Sequence, residues 1–348
     1  RLLSLPPAEQ LGGFRLSMPA GVPVALVSGL LVLVAWIPAT EAELSLVVPL
    51  AITTVITGIL SPIQDHIRRV MHQAGQSWLA ALTSGMQLAV AAAVITVGVF
   101  ADVDKAWIPF GALVLANTVS IGVGLLLARG RAVPARGERY VLAELAKSGR
   151  WLAGYGLVPV VSTFLVAAIV DVTAGSDFLG FAEAARVAGR PLLVFMTGVS
   201  AVLNPRALVA GRDRDQPAGE RLGRIGHLIV LGPGAIVLLW LGLEWAGNPM
   251  AWLVENAYTV EFLVVITIAA NILWGFLFVE EAQLVGGRRE VDIFRIYLIG
   301  GVVQVAIAFT AVWTESFAVP LAYIGFGIVR VIGFRGALRR LYGDVVRS

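Results

Sequence analysis

Residues 77–131 read SWLAALTSGMQLAVAAAVITVGVFADVDKAWIPFGALVLANTVSIGVGLLLARGR, two charge-free apolar runs around a short acidic gap. Each run is about 20 residues long, the length a helix needs to cross a hydrocarbon core. Only a helix or a closed barrel satisfies every backbone polar group in lipid, and a run of this length without alternation is a helix. The gap holds Asp102 and Asp104, whereas the segment after the second run holds Arg129, Arg131, Arg136 and Arg139. The two ends of the hairpin therefore differ in charge.

Outward from this hairpin the pattern repeats. Apolar runs predict ten spans, at 20–38, 43–62, 77–99, 106–128, 150–171, 182–204, 225–246, 259–279, 292–313 and 316–334. The composition agrees: 58% of the 348 residues are hydrophobic, 14% are charged, and mean hydropathy is +0.84. A soluble domain carries about one quarter charged residues. The predicted class is an all-α polytopic membrane protein with about ten transmembrane helices in two bundles.

The basic residues set the orientation. Of the 26 Lys and Arg, all but Lys105, Arg186 and Arg190 fall in or beside the N-terminal arm, the even-numbered gaps between spans or the tail, with Arg150, Arg295 and Arg330 at the span ends that border them. The odd-numbered gaps are short and acidic or neutral. The positive-inside rule then puts both termini in the cytoplasm. The same asymmetry accounts for the net charge of +3 without nucleic acid. The longest basic gap divides the chain into an N-terminal bundle of four spans (1–129), a linker with a short amphipathic helix (130–149), a C-terminal bundle of six spans (150–335) and a tail (336–348).

Cysteine is absent and histidine occurs three times, so a disulfide framework and a Cys- or His-based metal site are not expected. No gap exceeds about 20 residues, and neither a catalytic constellation nor a nucleotide loop stands out, so neither an enzyme nor a resident cofactor is expected. Glycines at 122, 124, 154, 156, 300 and 301 lie inside spans, where small residues let helices approach. An echo links GMQLAVAAAVITVG from Gly85 with GVVQVAIAFTAV from Gly301: each places a glutamine, Gln87 or Gln304, near the start of an Ala/Val-rich span. Parallel repeats in transporters look like this, as does coincidence among apolar sequences.

Two stretches carry a resemblance to a known family: SPIQDHIRRVMHQAGQSWLAALTSGMQL from Ser61 and FAEAARVAGRPLLVFMTGVSAVLNPRAL from Phe181. The sequence resembles the polysaccharide transport proteins, lipid-linked oligosaccharide flippases of the multidrug/oligosaccharidyl-lipid/polysaccharide exporter superfamily. The resemblance runs over the whole chain at the level of pattern, without a short invariant motif. It implies two six-helix bundles around a cavity, with the ten spans here matching the third to twelfth. A leading helix pair before Arg1 is then expected, and Pro6, Pro7, Gly12 and Gly13 resemble an interhelix loop. It further implies a cleft lined by spans one, two, five and six, open where that pair would lie.

The activity implied is movement of a polyprenyl-pyrophosphate oligosaccharide from the inner to the outer leaflet of the plasma (inner) membrane, by alternating access, for cell-surface polysaccharide synthesis. Its partners would be membrane lipids, the anionic lipid-linked glycan and glycan-assembly membrane proteins. Coupling to a cation or to the membrane potential stays open. The alternatives are a cation-coupled multidrug or small-solute exporter of the same superfamily and a non-catalytic membrane scaffold.

Charges at membrane depth are costly and mark candidate sites. Arg186 and Arg190 are four residues apart on one helix face, suited to a pyrophosphate if they line a cavity, or snorkelling to the surface if the span begins near Val187. Glu183 is placed to pair with Arg186. Arg150 begins span five as a headgroup guide or an anchor, and Asp171 ends it as an ion site or a solvated helix end. Gln87, Asn117, Asn271 and Gln304 meet sugar hydroxyls or bond between helices. Gln64, Asp65, Arg68 and Arg69 in one hairpin, and Glu280 and Glu281 in another, are surface residues and candidates for a cytoplasmic gate.

Overall fold

The computed structural model describes residues 6–13, 15–17, 22–23, 25–27, 29–30, 44–101, 103, 107–133, 142–242 and 260–343, with backbone alone at 7, 44–50 and 142–148. The first predicted span, and with it the predicted cleft, falls largely outside these residues. The chain divides into two compact units, 1–147 and 148–348. The protein is a multi-pass membrane protein: eight helices among the described residues are long and apolar enough to cross a membrane.

Unit 1 contains α1 (Leu44–Gln73), α2 (Ser77–Phe100) and α3 (Ile108–Arg131), preceded by a short 3-10 turn at Pro7–Glu9. Gly75, at a φ of +71°, supplies the left-handed residue that turns α1 into α2. Ile67, Val70 and Met71 of α1 pack with Leu79 and Ala80 of α2, Ala128 of α3 and Leu11 of the arm. Outward-facing leucines such as Leu88 and Leu126, 71% and 70% exposed, lie on the other face. In lipid such side chains need no burial, which is why the spans are apolar all round rather than amphipathic.

Unit 2 contains α4 (Leu142–Thr173), α5 (Ser176–Asp213), α6 (Gln216–Gly242), α7 (Leu263–Gly275), α8 (Phe278–Gly286), α9 (Glu290–Ala308), the short α10 (Ala311–Thr314) and α11 (Ala318–Gly343). The α5–α6, α8–α9 and post-α11 ends carry the basic residues, so this end of the unit is called basic. Its core is aromatic towards the basic end, with Tyr297, Phe326 and Phe334 around Leu284 and Leu341. Towards the other end it is built of Val166, Val170 and alanines. At the α5–α8 crossing the backbones touch: a Cβ on Gly211 would lie 1.9 Å from the Gln283 carbonyl oxygen, and one on Gly286 2.0 Å from that of Leu208.

Among the described residues, predicted spans two to ten fall on helices, most of them longer than the predicted span. Residues 142–149, expected in a separate amphipathic helix, are the first turns of α4. Span six was expected from residue 182, but α5 begins at Ser176 and runs 38 residues, about 57 Å. This is more than the core thickness of about 30 Å, because its basic C-terminal turns continue the helix beyond the apolar stretch. Span eight is broken at Phe276 and Leu277 into α7 and α8 and extends to Gly286. Pro159, Pro191, Pro205 and Pro233 all lie inside continuous helices. Among the interior glycines, 124, 154, 300 and 301 meet neighbouring side chains, whereas 122 and 156 meet nothing within 4 Å.

Candidate functional site

Unit 1 brings together uncharged polar side chains from α1, α2 and α3. Gln87 donates to Asn117 Oδ1 at 2.7 Å, Asn117 to Ser61 Oγ at 3.1 Å, and Gln64 to Gln87 Oε1 at 2.9 Å and Ser120 Oγ at 3.2 Å. Ser120 in turn donates to the Thr83 carbonyl at 3.3 Å. Gln64, expected at the surface, is 2% exposed; the α1 helix continues through the predicted hairpin and turns it inward. Asp65 pairs with Arg68, which also reaches Ser84, while Arg69 is exposed. His66 and His72 lie beyond the apolar part of α1. Burial holds both imidazoles below their usual range, with Arg69 contributing at His66 and Arg68 at His72. His66 bonds Ser17 Oγ at 2.8 Å, and His72 bonds Ser77 Oγ at 3.1 Å.

Unit 2 encloses charge. Because α5 starts ten residues before it, Arg186 sits about 15 Å along the helix rather than at its mouth. It pairs with Glu183, and its guanidinium lies 5.8 Å from the Tyr323 ring centre. Both belong to a cavity of about 390 Å³ lined also by Thr163, Thr267, Asn271 and Trp274. Among the described residues no carboxylate lines it. Tyr323 donates to Thr163 Oγ1 at 3.1 Å, and Thr267 is spent on the Leu263 carbonyl. Asn271 Nδ2 is buried without a hydrogen-bond partner. It rests on Gly189, where a Cβ would come within 2.3 Å. A cavity lined by a guanidinium that is paired with Glu183 outside the lining, by a primary amide and by two aromatic faces can take an anionic ligand bearing hydroxyl groups if the ligand competes with that pair. Arg190, one turn further along, is exposed and does not line this cavity.

Trp274 forms one wall of that cavity, and its other contacts reach Arg330. This arginine is 2% exposed. It donates to the Trp274 carbonyl at 2.8 Å, which lies at the α7–α8 break, and to Glu281 Oε2 at 3.0 Å. Tyr297 donates to the same oxygen at 2.6 Å. The guanidinium carbon is 5.0 to 5.4 Å from the ring centres of Trp274, Tyr297 and Phe334. Glu281, half-buried, is thus the partner of a buried arginine and not a hairpin surface group. Neighbouring Glu280 is 8% exposed, and its Oε1 lies 2.7 Å from His227 Nε2, close but out of line for a hydrogen bond. Span eight was expected to end at 279; the continuation of α8 to Gly286 carries both glutamates inside.

The remaining candidates are dispersed. Gln304 is fully buried, accepting from Ser162 at 2.7 Å, with its Nε2 unpartnered. Arg150 is exposed over Trp151, and Asp171 is exposed near the end of α4. No three His, Asp or Glu side chains among the described residues form a metal site. Sequence reasoning missed the Arg330 cage because it counted Arg330 with the basic tail, although the predicted span 316–334 includes that position and a charge inside a span was the signal. It also missed His227, for which a lone histidine gave none.

Neither a protein-family model nor a curated protein matches the chain. Solved structures do. An outward-facing multidrug resistance MATE family transporter of the MOP superfamily superposes with a TM-score of 0.72 at 14% identity, covering 98% of this chain and 84% of that one. A MOP superfamily transporter from Pyrococcus furiosus, whose reversed pocket polarity suggests a different function, gives 0.69 at 14% identity, covering 96% and 83%. A MATE protein in the straight conformation gives 0.68 at 14% identity, covering 100% and 86%. At these identities the likeness establishes the architecture: the chain has the two-bundle, all-helical fold of the MATE transporters of the MOP superfamily.

Proposed function

We propose that this chain is a transporter, working by alternating access, that carries a polyprenyl-pyrophosphate-linked oligosaccharide from the inner to the outer leaflet of the plasma membrane for cell-surface polysaccharide synthesis. The observation that carries the reading is the lining of the unit 2 cavity, where the charged group is Arg186 and no carboxylate is found among the described residues. A guanidinium binds phosphate oxygens through a planar fork. Asn271 Nδ2 and the Tyr323 and Trp274 rings suit a sugar, and the isoprenoid tail stays in lipid. Solved structures of this fold include one with a pocket of reversed polarity, so pocket polarity is a reasonable guide to substrate class. The amides of unit 1 are spent on one another and belong to packing in this reading.

One observation favours the cation-coupled exporter instead. The sequence placed few carboxylates at depth, but the structure buries Glu280 and draws Glu281 into the interior of unit 2, and titratable or ion-binding carboxylates are what such coupling needs. Proteoliposomes offered labelled lipid-linked oligosaccharide or a cationic drug separate the two. Arg186→Gln is expected to reduce glycan movement about tenfold or more, the worth of a charge-assisted hydrogen bond. Its stability should change by less than about 1 kcal/mol, since the Glu183 pair is more than one third exposed on average. Transport of the drug alone, unaffected or improved by Arg186→Gln, would overturn the glycan assignment.

A further inference from the structure

The basic end of unit 2 holds a second cavity, of about 560 Å³, that the transport reading does not use. Its floor is made by α8. Glycines on α6 at 219, 223 and 226 lie against Gln283, Glu280 and Val279 respectively, so no side chain from α6 fills the space above them. Gln283 is saturated there, donating to the Gly219 carbonyl at 3.1 Å and accepting from Tyr342 at 2.7 Å. Glu280 is not. Its Oε1 lies 2.7 Å from His227 Nε2, and its Oε2 is buried with no hydrogen-bond partner among the described residues. His227 itself is fixed by stacking on Phe276, with ring centres 3.9 Å apart.

An unsatisfied buried carboxylate oxygen costs free energy until it receives a donor. The rim makes the opposite demand. Arg224, Arg335 and Arg339 line the cavity, all exposed, and Glu220 on the same rim is engaged by Gln216 at 2.8 Å. A simple anion would satisfy the rim and be repelled by the floor, and a simple cation would do the reverse. A ligand that answers both carries an N–H-bearing ammonium group for Glu280 and a phosphate for the arginines.

We propose that this cavity binds a phosphate monoester or diester bearing a primary ammonium group, the phosphoethanolamine type, with the ammonium at the Glu280 carboxylate and the phosphate at Arg224, Arg335 and Arg339. This site is separate from the Arg186 cavity and does not rest on the glycan reading. By the distribution of basic residues it faces the cytoplasm, where such a group is offered either by the inner leaflet as a phosphatidylethanolamine headgroup or in solution as a soluble ester.

The test uses the full chain in nanodiscs of phosphatidylcholine, whose quaternary ammonium has no N–H to give. Phosphoethanolamine is titrated calorimetrically, with phosphocholine and inorganic phosphate as controls. Phosphoethanolamine is expected to bind about tenfold or more tightly than either control. Glu280→Gln removes that preference. The exposed Arg339→Gln, which leaves the floor untouched, weakens phosphoethanolamine and phosphate alike. Nanodiscs of phosphatidylethanolamine locate the source: loss of the soluble signal there means the lipid headgroup already fills the cavity, and an unchanged signal means the soluble ester is the ligand. Absence of binding in phosphatidylcholine discs, equal binding of phosphocholine, or binding indifferent to both substitutions would overturn the proposal.

Discussion

The interiors of the two units use polar groups in opposite ways. Unit 1 buries neutral amides and hydroxyls that, apart from Gln73 Oε1 at the end of α1, are matched to one another: Gln64, Gln87, Asn117, Ser61 and Ser120 form a chain of donors and acceptors across three helices. Unit 2 buries charges and leaves some polar atoms open, among them Asn271 Nδ2, Glu280 Oε2 and Arg330 Nε. A saturated network has no valence left for a ligand, whereas open atoms beside a cavity do. The number of polar residues in a span therefore says less about function than what remains unpaired once the helices pack. In unit 2 the open atoms of Asn271 and Glu280 belong to residues that line the two cavities.

The largest effect that would break this comparison is expected at Arg330. Arg330→Met leaves the Glu281 carboxylate inside the bundle with Tyr297 as its donor and takes the Trp274 carbonyl's partner away. Removing one member of a buried pair typically costs about 3–5 kcal/mol. Amide hydrogen exchange should accelerate in α8 and α11 and stay unchanged in α2 and α3. Adding Glu281→Leu should restore much of the loss, because an apolar pair of similar volume replaces the ion pair without an orphan. A single substitution without effect on exchange would mean that the pair is idle.

A smaller loss, about 1–2 kcal/mol, is expected for Gln87→Ala, which removes the donor to Asn117 and one acceptor of Gln64. Thermal unfolding reads it, and the double substitution Gln87→Leu with Asn117→Leu should recover part of it. The comparison fails if Gln87→Ala leaves stability intact and changes which substrate is carried, for then the unit 1 amides touch ligand.

These contrasts were only partly visible in the sequence. Apolar runs located the helices because the hydrocarbon thickness fixes a minimum length, but nothing in that rule marks where a helix stops once it leaves the membrane. The sixth span was therefore drawn from 182 to 204, and α5 runs from Ser176 to Asp213. That difference moves Arg186 from a surface position to a cavity wall. Glu280 and Glu281 read as a polar hairpin because two adjacent carboxylates ordinarily end a span. Glu281 is held by Arg330, 49 residues further on, and Glu280 lies beside His227, 53 residues back; one sequence does not reveal such pairings. Gln87 and Asn117 were recognised as interhelical candidates because a primary amide both donates and accepts. Gln64 was missed as their partner because its neighbours Asp65, Arg68 and Arg69 are charged.

The smallest predicted effect concerns two glycines of α3 that look equivalent in the sequence GVG at 122–124. A Cβ on Gly124 would lie 2.9 Å from Ile67 Cγ2 and 3.4 Å from Thr83 Cγ2, at the junction with α1 and α2. One on Gly122 meets nothing within 4 Å. Gly124→Ala must push β-branched, rotamer-locked neighbours aside, so a loss of about 1 kcal/mol or more is expected. Gly122→Ala should fall within about 0.5 kcal/mol of the parent, or gain slightly from alanine's preference for the helix. Thermal unfolding of the two variants side by side measures the difference. If Gly122→Ala cost as much as Gly124→Ala, the open face of α3 would be packed against something other than lipid, and unit 1 would have a contact surface there as well as an interior.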